Sequence, residues 1–259
     1  MEQGPCTMTW TEYHAVDAVS STRLRWMARS PAFCKLNMDQ PPEPTAPMRL
    51  GKIVHQLILE PDFNIRVSQH DGRTRQGKED RAVAAQDGLE LLTEHEWTAA
   101  VAMAESLRTN PRVAALLDRA EALEQSVLWT MKGRECKARR DAVGDGWILE
   151  IKTTSNLDRF PWQSGSLGYP IQAAWYRMAN EESGIKSALS FFFAVVCSTA
   201  PYESAVFLLE DAWQEGKRKA LTLFEKYLRC EKSGLWPGHV ENLLTLSVRA
   251  EDEKGEDWR

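Results

Sequence analysis

A two-residue turn between two strand-like runs constrains this chain more than any other feature of its sequence. Asp145-Gly146 is flanked by residues 135–143 and 147–153, and both runs have the composition of β-strands. Asp-Gly in such a position is a strong hairpin signal, because these residues tolerate the backbone angles of a tight turn. We therefore predict a two-stranded hairpin at this point of the chain.

The register of the hairpin places three charged side chains on one face. Gly144 then faces Trp147, and counting three positions outward along each strand brings Asp141 opposite Glu150. Opposed residues have Cβ atoms roughly 4.5–5.5 Å apart, and Lys152 shares their face because side chains alternate along a strand. A three-residue turn would instead shift the register and remove the facing pair.

Two facing carboxylates repel each other unless a cation compensates their charge. Hard oxygen ligands with room for water and phosphate suit Mg²⁺ or Mn²⁺. Lys152 could then orient or help deprotonate an attacking water, or stabilise charge on the phosphate. The alternative is a solvated hairpin face with an ordinary Glu–Lys arrangement, and the pairing argument alone leaves both open.

The composition describes an ordinary globular chain. It has 259 residues, 43% of them hydrophobic, and its apolar runs fall short of the ~20 residues that span a bilayer. Because the five cysteines are far apart and form no C-x-x-C pair, we expect reduced thiols in a cytoplasmic protein. The net charge of −5 argues mildly against a general nucleic-acid binder, but a local basic lining is compatible with it.

Helical and strand patterns follow one another in a way that predicts a single α/β domain over residues 1–240. A mainly helical part covers 15–120, and the sheet with its helices covers 121–240. Residues 70–81 are polar and basic and are predicted to be a mobile loop. The acidic tail, 241–259, is predicted to be flexible.

The spacing Asp141-x₈-Glu150-x-Lys152 resembles the PD-(D/E)xK nuclease signature, with Arg140 in place of the usual proline. Further segments resemble the RecE-type exonuclease (exonuclease VIII) family, which is related to phage lambda exonuclease. These are R-L-G-K-I-V-H at 49–55, L-E-P at 59–61, E-Q-S at 124–126, C-K-A-R at 136–139, E-I-K-T-T at 150–154 and Q-A-A-W-Y at 172–176. The resemblance covers roughly residues 15–240 and implies a restriction-endonuclease-like core, a mixed central sheet flanked by helices.

The resemblance also implies roles for matched positions. The metal ligands would be Asp141, Glu150, the carbonyl of Ile151 and His55, which lies on a helix. Lys152 would be the catalytic lysine. Glu124 would be a metal-associated carboxylate, and Gln172 and Tyr176 would lie beside the active site and help to position DNA. Without the resemblance, a core role is the better explanation of His55 and, by a small margin, of Tyr176, and Glu124 is explained as a surface charge.

Several cations are candidates for DNA contact. Arg23 and Arg25 lie where related enzymes recognise the DNA end, and a helix N-terminus with arginines suits a 5′-phosphate. Arg73 and Arg75 could contact backbone phosphates, although a solvated loop explains them as well. Lys137 and Arg139 would line the channel of a ring-shaped homo-oligomer, a trimer or tetramer.

The function implied by the resemblance is Mg²⁺-dependent exonuclease activity, with Mn²⁺ as a substitute. Family members degrade one strand of linear double-stranded DNA 5′→3′ and leave a 3′ single strand for an annealing protein. No iron–sulfur cluster is expected, because Cys197 and Cys230 are isolated. The alternatives are an endonuclease or repair nuclease, and a non-catalytic accessory that binds DNA ends; the complete Asp–Glu–Lys set argues against the latter.

Overall fold

The computed structural model describes residues 3–60, 65–70, 73–87, 89–186, 190–210 and 212–238. The predicted tail, 241–259, lies outside these ranges. In chain order, the elements are β1 (Gly4–Cys6), α1 (Trp10–Ala15), α2 (Ser21–Arg29), α3 (Pro31–Asp39), α4 (Ala46–Leu59), β2 (Ile65–Ser68), α5 (Arg75–Gln86), β3 (Glu90–Thr93), α6 (Glu94–Thr109), α7 (Pro111–Leu117), β4 (Ala122–Met131), β5 (Arg134–Gly144), β6 (Trp147–Thr154), α8 (Phe160–Ser166), α9 (Tyr169–Glu182), β7 (Ser190–Cys197), β8 (Ser204–Leu208) and α10 (Ala212–Ser233).

A six-stranded mixed sheet forms the centre of the fold, in the order β1-β4-β5-β6-β7-β8. Neighbouring strands are antiparallel except β6 and β7, which run parallel. β2 and β3 pair in a separate parallel ribbon. The predicted α/β class with a mixed central sheet flanked by helices is therefore confirmed.

Each face of the sheet is covered by its own hydrophobic cluster. On one face, Trp129 of β4 packs against Trp175 of α9, with ring centroids 5.1 Å apart, and Phe224 of α10 extends the cluster. On the other face, Ile53 of α4 and Met103 of α6 belong to a second cluster. Strands buried on both faces hold their register firmly, because a slip would move apolar side chains out of both clusters.

The hairpin forms with the predicted register. Gly144 pairs with Trp147, and regular pairing continues to Ala142 and Leu149. One position further, the backbone amides bond to side-chain carboxylates of the opposite strand. The Asp141 amide donates to Glu150 Oε1 at 3.4 Å, and the Ile151 amide donates to Asp141 Oδ2 at 2.7 Å. The two carboxylates therefore lie between the strands, where the ladder gives way.

The segment predicted as a mobile loop, 70–81, is partly helical, so that prediction was wrong for its second half. α5 begins at Arg75. The hydroxyl of Thr74 accepts the Gly77 amide at 3.0 Å, and Arg75 pairs with Glu79 one turn later. A side-chain acceptor before a helix satisfies an amide that has no partner within it, which favours this start.

Within the described ranges, no helix combines the length and the apolar character that crossing a bilayer requires.

Candidate functional site

One histidine and two carboxylates form a compact cluster at the edge of the hairpin. His55 of α4 lies with Nδ1 3.0 Å from Glu124 Oε1 and Nε2 2.9 Å from Asp141 Oδ1. One ligand atom from each residue lies within 4.8 Å of the others, which is the geometry of a candidate metal site. The structure thus brings together three residues that are 17 to 86 positions apart in the chain.

An irregularity in β4 carries Glu124 into this cluster. Its φ is 51°, in the left-handed region that residues with a side chain seldom adopt. Leu123 and Gln125 pair with β5 on either side of it, opposite Ala142 and Arg140. Such backbone strain costs about 1–3 kcal/mol and tends to occur at functional sites. We interpret it as the cost of bringing the Glu124 carboxylate to His55.

Glu150 is the centre of a second group of polar contacts. Its Oε2 accepts Lys152 Nζ at 2.7 Å and Gln172 Nε2 at 2.8 Å, although Glu150 is only 1% exposed. Gln172 also donates to the hydroxyl of Tyr176 at 3.1 Å. Both α9 residues are buried, so packing in the core and contact with the carboxylate centre coexist here.

The charges of the two groups shift each other's titration. Burial alone would lower the pKa of His55, but the charge and hydrogen bond of Asp141, followed by Glu124, raise it to about 9. Burial, and then the negative charge of Asp141, raise the pKa of Glu150 to about 7 against the effect of Lys152. Asp141 behaves oppositely: despite burial, the charge and hydrogen bond of His55 lower its pKa.

These residues fit a divalent cation. Glu124 Oε1 is buried and accepts no hydrogen bond of good geometry, although His55 Nδ1 lies 3.0 Å away. Both imidazole nitrogens face carboxylates, so a protonated His55 supplies the positive charge that this donor set requires. A hard divalent ion satisfies the same oxygen donors and one imidazole. Ile151 lines the cleft, and metal ligation by its carbonyl stays a prediction.

The site opens into a cleft with a volume of about 530 Å³. It extends from the carboxylates to the N-terminal helices. Besides the charged residues, it is lined by Trp10, Tyr13, His14, Ser20, Trp26, Asn37, Met38 and Met48. Sequence reasoning did not select the aromatic and methionine side chains among them, because residues from separate helices come together only in the fold.

The two arginines predicted to contact the DNA end line different cavities. Arg23 lines the cleft, where it pairs with Asp17 at 2.8 Å. Arg25 instead lines a separate cavity beside Arg218 and Lys219 of α10. Only Arg23 is therefore brought to the carboxylate centre, and DNA contact by either residue stays a prediction.

Arg73 and Arg75 are also away from the cleft. Arg73 lines cavities formed by the β2–β3 region, together with His70. The Arg75 side chain is 92% exposed and pairs with Glu79. The structure does not bring this pair of arginines to the candidate metal site.

Lys137 and Arg139 line the cleft but hold protein groups. Lys137 is 6% exposed, and its ammonium donates to the carbonyls of Tyr13 and Val16, each at 2.7 Å. Arg139 donates to the Met8 carbonyl and to Glu124 Oε2, both at 2.5 Å. In this conformation, both cations fasten the N-terminal segment to β5, a use that differs from the predicted channel lining.

Comparison with known proteins assigns the chain to a family. The model of the family described as "PDDEXK-like domain of unknown function (DUF3799)" matches residues 20–246. The chain belongs to this PDDEXK-like family. The matched range includes every residue of the cluster and of the Glu150 group.

A solved structure supports the same fold for this PDDEXK-like protein. The crystal structure of a putative exonuclease from Eubacterium rectale superposes with a TM-score of 0.66 at 15% sequence identity. The match covers 94% of this chain and 97% of that one. No curated protein matches the sequence significantly. Family and fold therefore place the chain in the PD-(D/E)xK superfamily.

Proposed function

We propose that the protein is a divalent-metal-dependent exodeoxyribonuclease that hydrolyses phosphodiester bonds from the ends of linear double-stranded DNA. The observation that carries the proposal is the meeting of Asp141, Glu150 and Lys152 at the floor of an open cleft, beside His55 and Glu124. A binding module has no need of a lysine 2.7 Å from a carboxylate that is almost fully buried.

In the reaction, Asp141, Glu150, Glu124 and His55 would hold Mg²⁺, or Mn²⁺ in its place. A bound divalent ion lowers the pKa of water and stabilises charge on a phosphate. Lys152 holds a proton at Nζ beside Glu150 Oε2 and is placed to orient the attacking water or to neutralise the developing charge. Gln172 fixes the Glu150 carboxylate through Oε2, so that its other oxygen faces Asp141.

The finer parts of the proposal rest on the RecE-type resemblance. They are the 5′→3′ direction, the 3′ overhang as a product for recombination with an annealing protein, and a ring-shaped homo-oligomer around DNA. The name of the Eubacterium rectale structure agrees with exonuclease activity. Size-exclusion chromatography with light scattering tests the ring: a monomer at working concentration would remove that part and leave the hydrolytic proposal intact.

End-labelled DNA tests the reaction itself. Linear duplex labelled at its 5′ end and a closed circle are each incubated with the protein in Mg²⁺ or in EDTA, beside Asp141→Ala. We expect metal-dependent release from the linear DNA alone, and none from the variant. Cutting of the circle would favour an endonuclease, and an intact linear substrate would leave only the accessory role.

A further inference from the structure

The lining of the cleft is chemically mixed. It combines Asp141, Glu150 and Lys152 with large apolar side chains of tryptophan, methionine and proline, among further polar residues. Trp10 is 50% exposed and Met48 is 59% exposed, although both are large apolar residues. Exposing such residues in a cleft that also holds charged groups suits a ligand with one charged and one flat apolar part.

Trp10 lies in α1, and side chains of β5, the strand that carries Asp141, hold this helix in place. Lys137 donates to two carbonyls at the end of α1, and its ammonium lies 4.7 Å from the centre of the Tyr13 ring. Arg139 fixes the Met8 carbonyl just before α1. A capping box between Thr9 and Glu12 starts the helix. α1 is therefore short but well anchored, so the position of Trp10 is defined relative to Asp141.

A second ring completes the aromatic surface at Trp10. The centroids of Trp10 and His14 are 4.2 Å apart, with 51° between the ring planes. Burial, and then the charges of Lys137 and Arg139, lower the pKa of His14 and so favour its neutral form. The pair thus offers two aromatic faces, tilted against each other, and nucleobases stack on faces of this kind.

Bases within a duplex are covered by their neighbours and cannot lay a face on a side chain, whereas unpaired bases can. Resting on the proposed function, we infer that the cleft receives an unpaired strand, and that Trp10 with His14 positions a base next to the scissile phosphate. A duplex end must then open before it is cut. Stacking is tolerant of sequence because every base has a π-face, so we expect little sequence preference.

The test measures binding without hydrolysis. In an Asp141→Asn background with Mg²⁺, fluorescence anisotropy follows a labelled single strand of about 12 nucleotides and an abasic strand of equal length. We expect Trp10→Ala to weaken binding of the base-bearing strand about tenfold and to leave the abasic strand unchanged. Trp10→Phe should retain most of the affinity, since it keeps an aromatic face.

Trp162→Ala is the matched control, because Trp162 is 86% exposed on α8 and does not line the cleft. It should change neither affinity. The inference is overturned if Trp10→Ala leaves base-bearing DNA unaffected, if it weakens both strands equally, or if neither strand binds. Hydrolysis by the parent protein is assayed separately: its absence alone would refute the proposed function, while a missing base effect with hydrolysis intact would refute only this inference.

Discussion

The positive charge of His55 balances the Glu124 and Asp141 carboxylates when no metal ion is bound. Its imidazole lies between Glu124 and Asp141, and its pKa is raised to about 9. An imidazolium in this position compensates both carboxylates, and a bound divalent ion would remove the need for it. Metal binding should therefore release a proton from His55 near neutral pH.

The raised pKa of His55 predicts a stability that depends on pH in the absence of metal. The stabilisation by protonated His55 is fully present below pH 6.5, the pKa of the histidine in the unfolded chain. It is lost as the pH rises through about 9, the pKa in the folded protein. Urea unfolding in EDTA should show up to about 3 kcal/mol less stability at the upper end of this window than at the lower. His55→Gln is the control: an unchanged pH dependence in this variant would contradict the assignment.

Gln172 positions the Glu150 carboxylate from α9. Its Nε2 donates to Glu150 Oε2 at 2.8 Å and to the Tyr176 hydroxyl at 3.1 Å. Replacing Gln172 by Met keeps the volume but removes both bonds. We expect the Mg²⁺ concentration for half-maximal activity to rise about 10–100-fold, as for other groups that orient metal ligands. Tyr176→Phe leaves the Glu150 contact, so an equal effect of the two variants would argue against this role.

At the scale of elements, α10 packs closely against α9, the helix that carries Gln172. A Cβ atom added at Gly216 of α10 would lie 2.3 Å from the Pro170 carbonyl oxygen of α9. We expect Gly216→Ala to lower the free energy of unfolding by about 1–3 kcal/mol, as overpacking does. Chemical denaturation measures the change.

Gly165 of α8 provides the matched substitution, since an added Cβ meets nothing within 4 Å there. Gly165→Ala should be neutral or raise the free energy of unfolding by about 0.5–1 kcal/mol, because alanine loses less backbone entropy in a helix. If both glycine variants change the free energy of unfolding alike, the close approach of α10 to α9 at Gly216 does not limit the space for a side chain there.

The sequence predicted the elements whose signals are local. Asp145-Gly146 determined the hairpin register, and the helical spacing of Leu50, Ile53, Val54 and Leu57 favours the helix that carries His55. The sequence does not indicate α3 as a separate helix, because Ser30-Pro31 looks like a helix end. In the structure, Ser30 closes α2 and also caps α3, with its hydroxyl accepting the Phe33 amide at 3.0 Å. Proline at the first position of a helix is favourable, so the same residues are also a start signal.

The sequence could not predict which distant residues the charged side chains of β5 would contact. Nothing local indicates that Lys137 would hold the carbonyls of Tyr13 and Val16, more than 100 positions earlier. The same holds for Arg139 and Met8. The resemblance predicted a DNA channel lined by these cations, and this stays a prediction. The structure pairs them with carbonyl oxygens and, for Arg139, also with the Glu124 carboxylate. α1 itself is only six residues long, too short for a periodic pattern to be recognised.

For the whole molecule, most cations that line the cleft already have protein partners. Arg23 pairs with Asp17, Arg139 with Glu124, and Lys152 with Glu150. Among the described residues, the cleft therefore offers few unpaired cations to phosphates. Affinity for DNA should then come mainly from the metal ion and from base contacts.

This distribution of charge predicts a shallow salt dependence. We expect the logarithm of the DNA association constant to fall against the logarithm of salt concentration with a slope of about −1 to −3, because few counterions are released. Anisotropy titrations over a range of KCl concentrations measure the slope per protomer. A slope steeper than about −6 would show an extensive phosphate interface that this cleft does not provide.

The central claim is that Lys152, together with Asp141 and Glu150, cuts phosphodiester bonds. The most direct measurement compares Mg²⁺-dependent nucleotide release from linear duplex DNA by wild type, Lys152→Ala and Lys186→Ala. Lys186 is a fair control because its side chain is 71% exposed and pairs with Asp145 at the turn of the same hairpin. We predict a loss of about 10²–10³-fold for Lys152→Ala and an unchanged rate for Lys186→Ala. Equal release by Lys152→Ala and wild type would contradict the account.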